Sequence, residues 1–137
     1  MFFLALSAAA EVGINASNPN APTVLRVVAN DENTHHVIVC TLCSCYPAAL
    51  LGLSPAWYKS RNYRARVVRE PRVVLQEFGL HLPAEQAVQV HDSTADLRYL
   101  VIPMPPKHLT AEDIANKSID ELKTFVSRDS MIGVAVL

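Results

Sequence analysis

The sequence predicts a single α+β domain in which small mixed sheets are covered by helices. A length of 137 residues suits one domain with a genuine core. Short β-branched runs predict strands, and Ser, Thr or Pro ahead of apolar stretches predicts short helices between them. We divide the chain into an N-terminal arm, residues 1–22, and a globular domain, residues 23–137.

Two strands are predicted at the start of this domain. Residues 23–28 form a β-branched run, residues 29–34 are a polar turn, and residues 35–40 form the second strand. The second strand leads into three closely spaced cysteines, whose backbone is fixed by the strand end. Pro47 then starts a short helical turn.

Helix signals follow in the middle of the chain. Ser54 is a predicted N-cap with Pro55 in the first helical position, and this helix runs to about residue 60. Asn62 is predicted to cap a second helix over residues 63–69.

A third helix is predicted to open at Pro71 and close at Gly79. Apolar residues along this region predict a buried stripe. Its members are Val67, Val68, Val74, Leu75 and Phe78.

The second half of the chain predicts a hairpin and a closing strand. Residues 87–91 and residues 97–102 read as strands joined by a turn over residues 92–96, and the proline-rich residues 103–106 read as a loop. Residues 131–137 are nearly all apolar and predict a last strand, central in its sheet.

Two capping boxes precede that strand, Thr110 with Asp113 and Ser118 with Glu121. Apolar residues after the second box are predicted to share one helical face. They are Ile119, Leu122, Phe125 and Val126.

The composition limits the classes of partner. The chain is 50% hydrophobic and only 18% charged, which favours a surface buried against other chains. Its net charge of -1 gives no case for nucleic acid, and no apolar run reaches the ~20 residues of a membrane helix. Residues 1–10 are apolar but lack a basic start, so we expect a buried strand or a partner-contacting arm rather than a signal peptide.

Basic residues concentrate between the second strand and the predicted hairpin. The segment contains Lys59, Arg61, Arg64, Arg66, Arg69 and Arg72. A nucleic-acid patch and a solvated helix face are both readings of it, but no nucleic-acid motif accompanies these charges.

All three cysteines lie within six residues, at Cys40, Cys43 and Cys45. We call residues 40–45 the cysteine loop. A disulfide between Cys43 and Cys45 would be badly strained, and one cysteine would be left over in any pairing. Three thiolates on one loop favour a metal site, and free cysteines favour a reducing, cytoplasmic setting.

Zinc is one interpretation of the cysteine loop. Structural zinc sites usually take four ligands from two pairs far apart in sequence. Here there is one cluster, with His35 and His36 close enough upstream to supply a fourth ligand. A non-catalytic zinc-binding module therefore stays open.

A trivalent ion is the other interpretation. Cys43 and Cys45 flank only Ser44, so an ion bound by both sulfurs lies close to the peptide nitrogens of Ser44 and Cys45. Three sulfurs and two deprotonated amide nitrogens fill five positions of an octahedron and leave the sixth open. Trivalent cobalt or iron suits that ligand set, whereas zinc gains nothing from it.

The cysteine loop and its surroundings closely resemble the alpha subunit of nitrile hydratases. The resemblance rests on VCTLCSCYP at residues 39–47, LGLSPAWYKS at 51–60, YRARVVREPR at 63–72, VLQEFG at 74–79, DST at 92–94, RYLV at 98–101 and RDSMIGV at 128–134. It covers most of residues 37–137.

The resemblance implies one non-corrin cobalt(III) per chain, with iron(III) as second choice, held by the sulfurs of Cys40, Cys43 and Cys45. The amide nitrogens of Ser44 and Cys45 complete the ligand set. Cys40 stays a thiolate, Cys43 becomes a sulfinate and Cys45 a sulfenate. Threonine at position 41 resembles the cobalt type, since the iron type more often has serine there.

The resemblance also implies hydration of a nitrile to its amide. The metal draws electron density from the nitrile carbon, and a water or the sulfenate oxygen of Cys45 attacks that carbon. Ser44 is expected to hydrogen-bond beside the metal. Beta-type subunits, in more than one chain, are the implied partners, and they supply arginines to the oxidised sulfurs.

Two departures from the family bear on the substrate. Ala48 stands where many members carry a pocket tryptophan, which predicts a bulky, heteroaromatic or nucleoside-type nitrile. Tyr46 and Trp57 are the other candidate substrate contacts, with simple packing as their alternative.

The second departure is the arm. Only 39 residues precede Cys40, which predicts that another chain replaces the usual long arm. Three-subunit nitrile hydratases that act on the nucleoside antibiotic toyocamycin have this arrangement. The related thiocyanate hydrolases share the cysteine loop and are the closest rival function.

Overall fold

The computed structural model of the protein describes residues 23–137. The predicted N-terminal arm lies outside these residues, as does the buried strand or partner contact expected at residues 1–10. Both therefore stay predictions.

Four strands of six residues each form two small parallel sheets in the described part of the chain. The strands are β1 (Val24–Ala29), β2 (Thr34–Val39), β3 (Ala87–Asp92) and β4 (Leu97–Ile102). β1 pairs with β4 and β2 pairs with β3, so each strand of the first half finds its partner in the second half. Parallel strands need a long crossover connection, and the helices of residues 48–77 lie within the one between β2 and β3.

The predicted hairpin is wrong. β3 and β4 flank a short turn, but they belong to different sheets, since Val39 is opposite Asp92 while Val24 is opposite Leu97. At the end of β3 the N–H of Ser93 still donates to Val39 at 2.7 Å. The turn therefore separates the two strands, because each buries its apolar side chains against a strand from the start of the domain.

Seven short helices accompany the strands within residues 23–137. They are α1 (Ala48–Leu51), α2 (Ala56–Lys59), α3 (Arg61–Arg66), α4 (Pro71–Glu77), α5 (Ala111–Ala115), α6 (Ile119–Lys123) and α7 (Arg128–Ile132). The helical turn after Pro47, the helix opening at Pro71 and both predicted capping boxes are confirmed.

Two predicted caps are wrong. The residue that precedes α2 is Pro55 and no side chain caps this helix, so Ser54 is not the N-cap. The N-cap of α3 is Ser60 rather than Asn62, because the Ser60 hydroxyl accepts the N–H of Tyr63 at 3.1 Å. α3 also ends at Arg66, short of the predicted residue 69.

The predicted C-terminal strand is wrong as well. A third capping box, formed by Ser127 and Ser130, starts α7 where the apolar composition favoured a strand. Gly133 then ends the helix with a left-handed φ of 92°. Local capping thus decides the structure here against the β preference of the side chains.

The predicted apolar face after the second capping box does not form a buried stripe. α6 ends at Lys123, ahead of Phe125 and Val126, and Ile119 is 71% exposed. In the earlier stripe, Val68 and Phe78 are exposed. Three of its members are buried as predicted, namely Val67, Val74 and Leu75.

The core lies where β2 and β4 meet the helices. Its fully buried members include Val37, Ile38, Val39, Val101, Ile132 and Tyr58. α7 packs on β4, α4 packs on β3, and β2 and β4 contact each other. The predicted α+β domain with small sheets covered by helices is confirmed, and the cysteine loop follows the buried strand β2 directly.

Within residues 23–137, no helix combines the length and the apolar character that a bilayer-spanning helix needs.

Candidate metal centre

The three cysteine sulfurs lie close together just beyond the end of β2. The Sγ atom of Cys43 lies 3.5 Å from that of Cys40 and 3.2 Å from that of Cys45, and all three lie within 4.8 Å of one another. Cys40 and Cys45 are buried, whereas Cys43 is exposed. The cluster therefore has a closed side formed by the core and an open side at Cys43.

The sulfur separations test which coordination geometry fits. With a metal–sulfur bond of about 2.3 Å, ligands at right angles lie about 3.3 Å apart and tetrahedral ligands about 3.8 Å apart. The separations of 3.5 Å and 3.2 Å are nearer the right-angle value. These two of the three sulfur separations are thus closer to the right-angle spacing of an octahedral ion than to the spacing in a zinc tetrahedron.

Peptide nitrogens converge on the same cluster. The N–H of Cys43 donates to the Cys40 sulfur at 3.3 Å. The N–H groups of Ser44 and Cys45 interact with the Cys43 sulfur.

The pKa values of the Cys43 and Cys45 thiols are shifted in opposite directions. Hydrogen bonds from Cys45 and Cys40, and then from the amide of Ser44, lower the pKa of Cys43 to about 7. Burial, and then the hydrogen bond to Cys43, raises the pKa of Cys45. Cys43 therefore forms a thiolate, the form that binds metal, more readily than Cys45 does.

Side chains from both halves of the chain hold the start of the cysteine loop. The Asp92 carboxylate accepts the Thr41 N–H at 2.9 Å and the Thr41 hydroxyl at 2.6 Å. Arg64 donates to the Thr41 carbonyl oxygen at 3.3 Å. Thr41 is exposed, so these contacts rather than core packing fix its position.

The end of the loop is held by two further donors. The hydroxyl of Tyr58 donates to the carbonyl oxygen of Cys45 at 2.7 Å, and Arg98 donates to the carbonyl oxygen of Tyr46 at 2.6 Å. Burial raises the pKa of Tyr58 far above its ordinary range, so its hydroxyl stays protonated and keeps donating.

A cavity of about 150 Å³ lies beside the end of the loop. Tyr46 and Ala48 line it together with Arg98 and Leu25. The Tyr46 hydroxyl is buried and has no hydrogen-bond partner among residues 23–137. A buried hydroxyl left unpaired costs about 1–3 kcal/mol, so this atom marks a place where a polar group from outside the described chain is expected.

Trp57 is not brought to that cavity. It packs edge-on against Tyr63 and Phe78, with ring centroids 5.0 Å and 4.8 Å apart, and lines a separate cavity between α2, α3 and α4. Of the three candidate substrate residues, the structure places Tyr46 and Ala48 together and Trp57 elsewhere. Ser44, the remaining predicted site residue, is exposed on the open side of the cluster.

Part of the basic segment is engaged in contacts within the chain. Arg66 pairs with Glu70 and Glu77, each at 2.5 Å. Arg72 donates to the carbonyl oxygens of Pro83 and Gln86.

Sequence reasoning missed the residues that hold the loop. Asp92, Tyr58 and Arg98 all lie in stretches that resemble the family, but Asp92 falls in a predicted turn and Tyr58 among predicted packing residues. The only sequence signal for Asp92 is its position directly after a predicted strand.

Comparison with known proteins identifies relatives along nearly the whole chain. The family model "Nitrile hydratase, alpha chain" matches residues 2–135. The chain is 54% identical to the alpha subunit of the high-molecular-weight cobalt-containing nitrile hydratase of Rhodococcus rhodochrous, over 81% of this chain and 53% of that one. It is 52% identical to the gamma subunit of thiocyanate hydrolase of Thiobacillus thioparus, over 82% and 44% respectively.

Two solved structures of related enzymes are also similar to this chain in fold and in sequence. A recombinant thiocyanate hydrolase with partially modified cobalt centres has a TM-score of 0.85 at 44% identity, covering 96% of this chain and 62% of that one. A double mutant of the Fe-type nitrile hydratase from Comamonas testosteroni has a TM-score of 0.85 at 37% identity, covering 99% and 63%. The chain thus spans about half of the length of the curated relatives named above.

Proposed function

The chain belongs to the nitrile hydratase alpha-chain family, and from that premise we propose that it is the metal-binding, catalytic subunit of a nitrile hydratase. The observation that carries this proposal is the convergence of three cysteine sulfurs within the cysteine loop. The proposed ligands are the sulfurs of Cys40, Cys43 and Cys45 and the amide nitrogens of Ser44 and Cys45.

The proposed ion is cobalt(III), with iron(III) as the second choice. Threonine at position 41 and the cobalt-containing relatives support cobalt, while an Fe-type enzyme is among the similar structures. When bound there, such an ion supplies Lewis acidity that draws electron density from the carbon of a nitrile. Water adds across the carbon–nitrogen triple bond, and the product tautomerises to the amide.

The chain's own residues orient this reaction. Cys40 anchors the cluster in the core, and the open side at Cys43 and Ser44 is where substrate and water reach it. We propose that dioxygen or a peroxide oxidises Cys43 to a sulfinate and Cys45 to a sulfenate before turnover begins. The sulfenate oxygen or a water then attacks the nitrile carbon. Ser44, exposed on this side, is proposed to hydrogen-bond to the attacking group.

The proposed substrate is a bulky nitrile of heteroaromatic or nucleoside type. The cavity beside the loop supports this, because the small side chain of Ala48 in its wall leaves room for a bulky group. Trp57 is left out of this proposal since it lines the other cavity.

We also propose that the active enzyme contains one or more beta-type subunits and resides in the cytoplasm. The exposed Leu42 and Leu53, which are 83% and 86% exposed, support a partner surface close to the cysteine loop. Three free thiols suit a reducing compartment.

Hydrolysis of thiocyanate is the second candidate function. The 52% identity to a thiocyanate hydrolase gamma subunit and the TM-score of 0.85 to such an enzyme favour it specifically. Thiocyanate is small and anionic, so the cavity beside Ala48 and a preference for bulky nitriles would both argue for the hydratase.

The test is co-expression of the full chain with its genomic neighbours in cobalt medium. The proposal expects about one cobalt per chain, a sulfur-to-metal absorption band, three added oxygens on the peptide that contains Cys43 and Cys45, and hydration of aromatic nitriles. Cys43→Ser is expected to lose metal and turnover together. One zinc per chain with unmodified thiols would instead identify a non-catalytic zinc module.

A further inference from the structure

One contact within residues 23–137 that has no assigned role joins Asp92 to the cysteine loop. Its two carboxylate oxygens accept two different groups of Thr41, the N–H at 2.9 Å and the hydroxyl at 2.6 Å. Hydrogen bonds to an ionised carboxylate are shorter and roughly twice as strong as neutral ones. Both are made across 51 residues of chain, at an exposed position where apolar packing contributes little.

The register of the sheet explains why Asp92 reaches this place. Val39, the last residue of β2, is opposite Asp92, the last residue of β3. The next residue, Ser93, donates its N–H to the Val39 carbonyl oxygen at 2.7 Å, so the ladder continues one step beyond the strands. Past the end of this ladder, the Asp92 side chain accepts the N–H of Thr41. A side chain thus makes the hydrogen bond that a backbone carbonyl would make if the ladder continued.

These contacts bracket Cys40 on both sides. Ser93 holds the residue before it and Asp92 holds the residue after it, while the Cys40 side chain is fully buried. The Cys40 sulfur has little freedom of its own, so its distance of 3.5 Å from the Cys43 sulfur depends on where Thr41 directs the chain.

We propose that Asp92 is a positioning residue for the metal centre, which acts through Thr41 to fix Cys40 relative to the other two sulfurs. The inference rests on the proposed metal-binding function of the loop. Its consequence is specific: loss of the Asp92–Thr41 contacts loosens the buried ligand and changes the metal's ligand field, while the sheet and the core persist.

A simple strand-end cap is the competing role for Asp92. Such a cap would add stability to β2 and β3 without any effect that is particular to the sulfurs. The two roles are separated by measurements on Cys40 itself, compared with a matched carboxylate nearby. Asp96 serves as that control, since it is exposed in the turn that follows β3 and its carboxylate makes no side-chain hydrogen bond within residues 23–137.

The first experiment uses the metal-free full chain and measures the alkylation rate of each cysteine by iodoacetamide with tandem mass spectrometry. Asp92→Ala is expected to accelerate alkylation of Cys40 about tenfold, the equivalent of losing about 1.4 kcal/mol of charge-assisted hydrogen bonding. Asp96→Ala is expected to leave the Cys40 rate unchanged. Equal Cys40 rates in the two variants would overturn the proposal.

The second experiment uses the cobalt-loaded complex with its partner chains. Thr41→Val, which removes only the hydroxyl contact, and Asp92→Asn, which removes the charge, are expected to shift the sulfur-to-metal absorption band and speed cobalt loss to a chelator about tenfold. Thr41→Ser keeps both contacts and is expected to restore the wild-type band. An unshifted band in both Thr41→Val and Asp92→Asn would overturn the proposal even if Asp92→Ala fails to fold.

Different results test the metal-binding function of the loop and the positioning role of Asp92. A wild-type chain that retains no cobalt overturns the proposed function. The alkylation measurement needs no metal and still decides whether Asp92 holds Cys40.

Discussion

The hydroxyl of Tyr58 lies 2.7 Å from the carbonyl oxygen of Cys45 and Tyr58 is fully buried, so α2 is tied directly to the last residue of the cysteine loop. A second tyrosine, Tyr63, makes the same kind of bond at 2.6 Å to the carbonyl oxygen of Ile38 within β2. The two hydroxyls are alike in chemistry and burial, but one bonds to the cysteine loop and the other to β2.

Replacing each of these two tyrosines is expected to lower stability to a similar extent but to affect metal binding differently. Tyr58→Phe and Tyr63→Phe each leave a buried carbonyl without its donor and are expected to cost about 1–3 kcal/mol in the free energy of unfolding. Only Tyr58→Phe is expected to lower metal retention, because only it frees the backbone of Cys45. Urea unfolding and metal analysis of both variants check this, and equal metal contents would contradict it.

Gly133 predicts a severe steric effect. Its φ of 92° is left-handed, and a Cβ added there would lie 2.8 Å from the Cα of Val37 and in contact with the carbonyl oxygen of His36. Gly133→Ala is therefore expected to cost more than about 3 kcal/mol, since α7 must move away from β2.

Gly79→Ala is the control for Gly133→Ala. Gly79 has a comparable φ of 84°, but nothing lies within 4 Å of an added Cβ, so only the backbone strain of about 1–2 kcal/mol remains. Thermal unfolding of both variants measures the difference. Equal losses would mean that backbone strain alone accounts for the need for glycine at position 133.

His35 predicts how stability depends on pH. The Asn30 side-chain oxygen accepts the N–H of His36 at 2.7 Å, so the Asn30 amide nitrogen faces Nδ1 of His35 at 3.2 Å. Nδ1 must then accept, and Nε2 carries the proton and donates to the carbonyl oxygen of Gly133 at 2.7 Å. A second proton on Nδ1 would oppose a donor.

Burial, the largest cause, and the neighbouring His36 lower the pKa of His35, against the opposing effect of the bond to Gly133. The unfolded chain, with an ordinary pKa near 6.5, thus takes up a proton at a higher pH than the native chain. Stability from this group is complete above pH ~6.5 and falls as the pH drops toward the native pKa.

The measurement is urea unfolding of the metal-free chain between pH 8 and pH 5. His35→Gln is expected to lower stability at pH 8 but to make its decline toward pH 5 shallower. His81→Gln, at an exposed histidine, is expected to retain the wild-type decline. A decline that His35→Gln leaves unchanged would assign the effect to other groups, such as His36 and His91, whose pKa values burial also lowers.

The small side chain at position 48 is expected to determine how large a nitrile the protein accepts. Ala48→Trp places an indole in the wall of the cavity beside the loop and is expected to lower kcat/KM for a heteroaromatic nitrile at least about tenfold while sparing a small aliphatic nitrile. Ala111→Trp, at an exposed position in α5, controls for the added tryptophan. A wild-type complex that already prefers small nitriles would contradict the proposed substrate.

Features that depend on neighbours in the chain could be read from the sequence. The capping boxes at Thr110 and Ser118 need only residues three positions apart, and both form as predicted. The meeting of Cys40, Cys43 and Cys45 is likewise a property of their spacing, since six residues cannot carry three sulfurs far from one another.

Tertiary structure alone decided which strands pair and what holds the cysteine loop. β3 and β4 separate because each buries its apolar side chains against a strand more than 50 residues earlier, a gain that no local pattern records. That pairing brings Asp92 to Thr41, and the packing of α2 brings Tyr58 to Cys45. The sequence by itself determined that three cysteine sulfurs lie together, whereas long-range burial determined the contacts that hold the cysteine loop in place.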